Sequence, residues 1–123
     1  MSGGNESRLL GKWGERLVAD YLCQKGWRIR ETNYRCRMGE IDLIAENRNY
    51  LAFVEVKLRK GSKFGQAGEA VTFSKQEKLR VTAELYLSEH PTKLQPRFDV
   101  AEVYAPQGLH TVEPNIIYHE NAF

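Results

Sequence analysis

The sequence predicts an α/β domain: a central mixed β-sheet flanked by helices, with the elements in the order α-β-β-β-α-β-β. Three observations carry this. Apolar residues recur at helical spacing from Arg8 to Lys25. Two short apolar segments, Gly39-Glu40-Ile41-Asp42-Leu43-Ile44-Ala45 and Phe53-Val54-Glu55-Val56-Lys57, read as strands separated by the turn-like Glu46-Asn47-Arg48-Asn49. A second helical segment then stands between these strands and two more. At 123 residues the chain is long enough for one core without disulfide or metal staples. Residues 8–123 are expected to form that domain, behind a disordered stretch at 1–7.

In the first helix Leu10, Trp13, Leu17 and Tyr21 form an apolar stripe, and Lys12, Arg16 and Asp20 form the solvent side. Gly26 is its C-cap. Glu15 lies at the border of the apolar arc beside Gly11, Ala19 and Leu22, where small neighbours let another element approach. Trp27 to Tyr34 is the first strand, and residues 40–45 and 51–58 are the next two. Arg59 to Phe73 is a loop with Gly61, Gly65 and Gly68; it lacks Gly-Lys-Ser/Thr, so no nucleotide P-loop is present. Ser74 with Glu77 reads as a capping box, and the helix runs to about Ser88 with Leu79, Ala83, Tyr86 and Leu87 inward. After the break at His90-Pro91-Thr92, Arg97 to Tyr104 is a fourth strand. Phe98, Val100 and Tyr104 share one face, and Asp99 shares the other with Ala101 and Val103. Asp99 reads as structural, paired with Arg97 or another basic group. Thr111 to Tyr118, broken by Pro114, is the last strand and belongs at a sheet edge.

Composition excludes several classes. The polar start carries no apolar run of a signal peptide, and no stretch approaches a membrane span, so a cytoplasmic protein is the expectation. Cys23 and Cys36 lack metal-ligand spacing and read as ordinary thiols. His90, His110 and His119 are scattered, and nothing suggests a covalent nucleophile. The net charge of +2 hides an asymmetry: residues 1–98 hold all 18 basic and 12 acidic residues, while residues 99–123 hold four acids and no Lys or Arg. Basic residues cluster at Lys25, Arg28, Arg30, Arg35 and Arg37 and again at Lys57, Arg59, Lys60 and Lys63. Such a rim suits a polyanion, although for a net charge this small a solvated surface is the better reading of charge alone.

The chemistry lies in the two central strands. Charges inside an apolar strand are costly and need a reason. Strand alternation puts Glu55 and Lys57 on one face and Val54, Val56 and Leu58 on the other. If the strands pair antiparallel, Asp42 lies beside Glu55. Two carboxylates so close repel unless a cation stands between them, and oxygen donors suit Mg²⁺. Lys57 would then face a phosphate and the attacking water. That set fits metal-assisted phosphodiester hydrolysis. A structural salt-bridge network is the alternative, and spacing alone does not separate the two.

The spacing from Asp42 to Glu55-x-Lys57 resembles the PD-(D/E)XK nuclease superfamily. The ordered series Gly11-Lys12-Trp13-Gly14-Glu15-Arg16, GEIDLIA, FVEVK, Phe64-Gly65, Lys75 and Arg97-Phe98-Asp99-Val100 resembles the small bacterial YraN-like family, which is similar to archaeal Holliday-junction resolvases. The likeness covers about Leu9 to about Val103. Ile41 stands where the superfamily's name has proline. The resemblance implies a restriction-endonuclease-like core and a catalytic set of Glu15, Asp42, Glu55 and Lys57. Mg²⁺ or Mn²⁺ would be held by Asp42, Glu55, the Val56 carbonyl and Glu15. DNA, branched or of Holliday type, would be met by Arg35, Arg37, Arg59, Lys60, Lys63 and Lys75, and two sites would be paired in a homodimer. A nucleic-acid-binding protein with a vestigial site is the alternative.

Overall fold

The computed structural model describes residues 2–60 and 71–123. Its elements are α1 (Ser2–Gln24), β1 (Arg28–Cys36), β2 (Gly39–Glu46), β3 (Tyr50–Arg59), α2 (Phe73–Glu89), β4 (Gln95–Tyr104), a 3-10 turn at Gly108–His110 and β5 (Asn115–His119). The order is the expected one. The five strands form one sheet in the order β1-β2-β3-β4-β5. β1, β2 and β3 pair antiparallel, β3 and β4 parallel, and β4 and β5 antiparallel. The parallel pair requires a crossover, which α2 supplies. β5 starts directly after Pro114 and occupies an edge, as a strand next to a proline should. Among the described residues no helix is long and apolar enough to cross a membrane.

Each face of the sheet carries one helix. Val18 and Leu22 of α1 pack with Leu43, Ala45, Ala52, Val54, Ala101 and Val103. Leu79, Ala83 and Tyr86 of α2 pack on the opposite face with Ile41, Ile44, Leu51, Phe53 and Val100. β2 and β3 are therefore apolar on both faces over much of their length, and each fully buried Leu, Ile or Phe contributes about 1.5–3 kcal/mol. That burial makes the pair a stiff platform. It also isolates the few charged side chains set into it.

Local chemistry fixes the ends. Gly26 has φ +94, a left-handed conformation that glycine adopts without strain, and Trp27 N–H returns to the Leu22 carbonyl at 3.0 Å. In the β2–β3 turn, Asn47 Oδ1 accepts from the backbone N–H groups of Asn49 and Tyr50. Several boundaries differ from expectation: β1 runs on to Cys36, β4 begins at Gln95, and the last strand is confined to Asn115–His119, after Pro114. α1 begins at Ser2, not Arg8, because a helix anchored by its packed half propagates outward with one added hydrogen bond per residue. α2 is capped by Thr72, whose hydroxyl accepts from Lys75 N–H, so the expected capping box at Ser74 is displaced by two residues. The buried face of α2 also includes Thr82, whose hydroxyl donates to the Lys78 carbonyl. The glycines and Lys63 of the loop after Arg59 fall in residues 61–70, outside the described residues.

In the middle of β4, Asp99 is fully buried and holds Arg97 through two 3.0 Å hydrogen bonds. It also accepts from Tyr118 Oη at 2.6 Å and Asn121 N–H at 2.9 Å. The Arg97 guanidinium lies over the rings of Tyr50 and Trp27. The expected structural pairing is present, and it ties β4 to residues 118–121.

Candidate active site

On the α2 face, β3 reads Leu51 and Phe53 and then Glu55 and Lys57, so the face turns from apolar to charged halfway along the strand. The β2–β3 register runs from Glu46↔Leu51 to Leu43↔Val54 and would next set Asp42 opposite Glu55. The main-chain ladder stops there. Instead Asp42 Oδ2 accepts from Val56 N–H at 2.8 Å. A side chain replaces a main-chain partner, the strands part, and a cavity of about 240 Å³ opens. Gly39, Glu40, Asp42 and Glu55 line it from the sheet, and Lys75, Lys78 and Leu79 from α2.

Electrostatics follow from that placement. Burial, and then the charge of Glu55, push Asp42 up to about 7 against the opposing Val56 N–H, with Glu15 and Glu40 adding smaller pushes. Glu55 is 7% exposed and meets Lys75 Nζ at 3.0 Å. Burial opposes the charge of Lys75, but its hydrogen bond and attraction to Glu55 win and raise its pKa. The cluster is thus acidic, half dry and partly compensated by one lysine.

Glu15 approaches from the other helix. A Cβ on its neighbour Gly14 would stand 2.5 Å from Leu58 Cδ2, so glycine lets α1 lie close against β3. Glu15 Oε1 accepts from Asn33 Nδ2 at 3.0 Å. Asn33 has φ +54 within β1. The flanking register pairs, Thr32↔Leu43 and Tyr34↔Ile41, bracket Asn33 and Asp42. Alternation breaks at this point: Ile41 and Ile44, three apart, both face the α2 core, as does Tyr34.

Asp42 and Glu55 are therefore brought together, as expected. Glu15 is near enough for its charge to reach Asp42 but is held on Asn33, outside the cavity lining. Lys57 is half-buried on the Glu55 face, one pleat further along and also outside the lining. Val56 contributes its N–H to Asp42. Among the described residues no three His, Cys, Asp or Glu side chains form a ready metal cage.

The basic residues divide. Arg37 is exposed, and Arg35 is exposed beside Glu40 at 3.6 Å. Arg59 is largely occupied by Glu102, which also takes His119 at 2.8 Å. Lys60 lines a separate cavity with Leu10 and His110. Lys75 turns into the site. Asn33 and the pairing partner of Glu55 were not foreseen. An asparagine amid strand formers was the signal for the first, because asparagine is depleted in strands.

Comparison with known proteins gives the family. Residues 14–103 match the model of a family described as Uncharacterised protein family UPF0102. A UPF0102 protein of Caldanaerobacter subterraneus subsp. tengcongensis is 45% identical over 118 residues, 94% of this chain and 95% of that protein. The chain belongs to the UPF0102 family. Other UPF0102 proteins agree: one from Caldicellulosiruptor bescii is 41% identical over 88% of this chain and 92% of its own length. One from Clostridium botulinum strain Loch Maree is 46% identical over 76% of this chain and 78% of its own. UPF0102 is the YraN-like group that the ordered motifs resembled. The matched span contains Glu15, Asn33, Asp42, Glu55, Lys57 and Lys75.

Proposed function

We propose that this UPF0102 protein is a metal-dependent endonuclease that hydrolyses DNA phosphodiester bonds, with branched or Holliday-type DNA as its substrate. The observation that carries the reading is the pair of carboxylates, Asp42 and Glu55, facing one cavity at a break in the β2–β3 ladder. Their hard oxygens fit a divalent cation: burial first and then the charge of Glu55 push Asp42 toward neutrality, and a cation would relieve that repulsion. Asp42, Glu55 and the Val56 carbonyl would hold Mg²⁺ or Mn²⁺, with Glu15 as a further or outer acidic group. When bound, the metal supplies Lewis-acid stabilisation and an activated water.

The remaining work falls to the chain. Lys57, on the same face as Glu55, orients the water and opposes the charge that develops on the phosphate. Arg35 and Arg37 lead the backbone of the nucleic acid toward the cavity, with Arg59, Lys60, Lys63 and Lys75 as further basic groups. A two-fold homodimer would present two equivalent sites to two strands. A second reading, binding without cleavage, is favoured by one observation: Lys75 already neutralises Glu55.

The test is a Mg²⁺ and Mn²⁺ titration of protein freed of contaminating nucleases, against duplex, flapped and four-way DNA. Metal-dependent nicking that Glu55→Ala abolishes supports the enzyme. Equal nicking by the variant defeats the site. DNA binding with no nicking under any divalent metal leaves the binding reading.

A further inference from the structure

Asn33 combines two features that β1 does not need for its own sake. Its backbone is left-handed, at φ +54, in the interior of a strand. Asparagine tolerates that region, but glycine would hold it with less strain. The side chain therefore answers to another demand. Its amide donates to Glu15 Oε1 at 3.0 Å across 18 residues of sequence, in a half-buried setting. On the neighbouring strand, Asp42 occupies the position opposite.

We propose that Asn33 is a positioning residue of the Asp42–Glu55 site: its amide fixes the Glu15 carboxylate beside that site as an outer acidic group for a divalent cation. This rests on the metal-site reading above. The choice of group is chemically apt. A lysine or arginine would also hold the carboxylate but would cancel its attraction for a cation. An amide holds it and leaves the charge intact. The left-handed backbone marks the break in strand alternation from which the amide reaches α1. Without the amide, Glu15 has a free rotor and water to turn to, and residues that orient metal-binding groups typically matter 10–100-fold.

The test is Mn²⁺ affinity, measured by calorimetry and electron paramagnetic resonance on metal-free protein, with urea unfolding alongside. Asn33→Gly keeps the backbone and removes the amide. It is expected to bind Mn²⁺ about tenfold more weakly. Glu15→Gln should lose a similar factor. The double variant should be no weaker than Glu15→Gln, because no charge then remains to be positioned. A purely structural role predicts independent, additive losses, and that result overturns the proposal. So does parent-like Mn²⁺ affinity in Asn33→Gly while Glu55→Ala loses binding; the metal reading survives that outcome. If Glu55→Ala binds Mn²⁺ as the parent does, the metal reading falls and the role of Asn33 falls with it. Should Asn33→Gly fail to fold, Asn33→Ala, which likewise removes the amide and adds no charge, replaces it in the same cycle.

Discussion

Glu55 Oε2 lies 3.0 Å from Lys75 Nζ, so a β3 carboxylate is held by the first turn of α2, 20 residues on in the chain. The carboxylate is nearly dry and the ammonium half exposed. On the proposed metal-site reading, Lys75 is the competitor that a divalent cation would have to displace or share. This relationship makes the site tunable from the helix side.

Lys75→Ala leaves Glu55 and Asp42 to repel each other uncompensated. The metal-free variant should lose about 1–2 kcal/mol, less than a fully buried pair because the lysine is half solvated. Its Mn²⁺ affinity should rise. Thermal melts with and without Mn²⁺ check both directions at once.

The proton on Asp42 gives a pH dependence of unusual sign. Its folded pKa of about 7 exceeds the ordinary 3.8, so the native state holds this proton more tightly than the unfolded chain. Stability from this group is full below the unfolded pKa and falls as pH rises through the folded one. Metal-free Asp42→Asn should match the parent near pH 4 and exceed it by about 1–2 kcal/mol near pH 8, discounted for partial solvation. Urea titrations across that range decide it; a flat difference would mean that Asp42 is ordinary.

Glu55→Ala and Lys57→Ala should both abolish metal-dependent cleavage while moving DNA affinity in opposite directions. Removing a carboxylate relieves repulsion of phosphate, and removing a cation loses attraction. Shifts of about two- to fivefold each way, roughly 0.4–1 kcal/mol, are expected at low salt. Fluorescence anisotropy in metal-free buffer measures them. Parallel losses of affinity and melting temperature would point to a structural salt bridge.

Arg35 and Arg37, exposed on the β1–β2 hairpin beside the cavity, should carry phosphate contacts. A double alanine variant should lower the slope of log affinity against log salt by about two units. Lys60→Ala, which alters a separate cavity, should change it by about one unit or less. Equal effects would move the binding face toward α1.

Asp99→Ala should cost about 3–5 kcal/mol, because Arg97 would remain buried without its partner. Tyr118→Phe, which deletes one 2.6 Å donor, should cost about 1–2 kcal/mol. Neither should alter Mn²⁺ affinity at temperatures where the fold persists. Denaturant midpoints and calorimetry together check the separation.

The order of elements was legible from pattern alone. A 3.6-residue period marks α1, alternation marks β3, and Pro114 puts β5 at an edge. Asp42, Glu55 and Lys57 stood out because a charge in an apolar strand is costly wherever the strand ends up. Arg97 and Asp99 could be paired from sequence because residues two apart share a strand face. What local pattern could not supply was partnership between distant segments. Thr72 and Ser74 are both cap-forming residues, and the start of the helix in the folded chain decides between them. Lys75 read as a solvated lysine or phosphate contact until the β3-α2-β4 crossover carried it over Glu55. Asn33 holds Glu15 because the close approach of α1 at Gly14 and the break opposite Asp42 bring them within 3.0 Å. Strand and helix periods report which way a side chain faces. Register, crossover and helix approach decide what it meets, and those are set by the whole core.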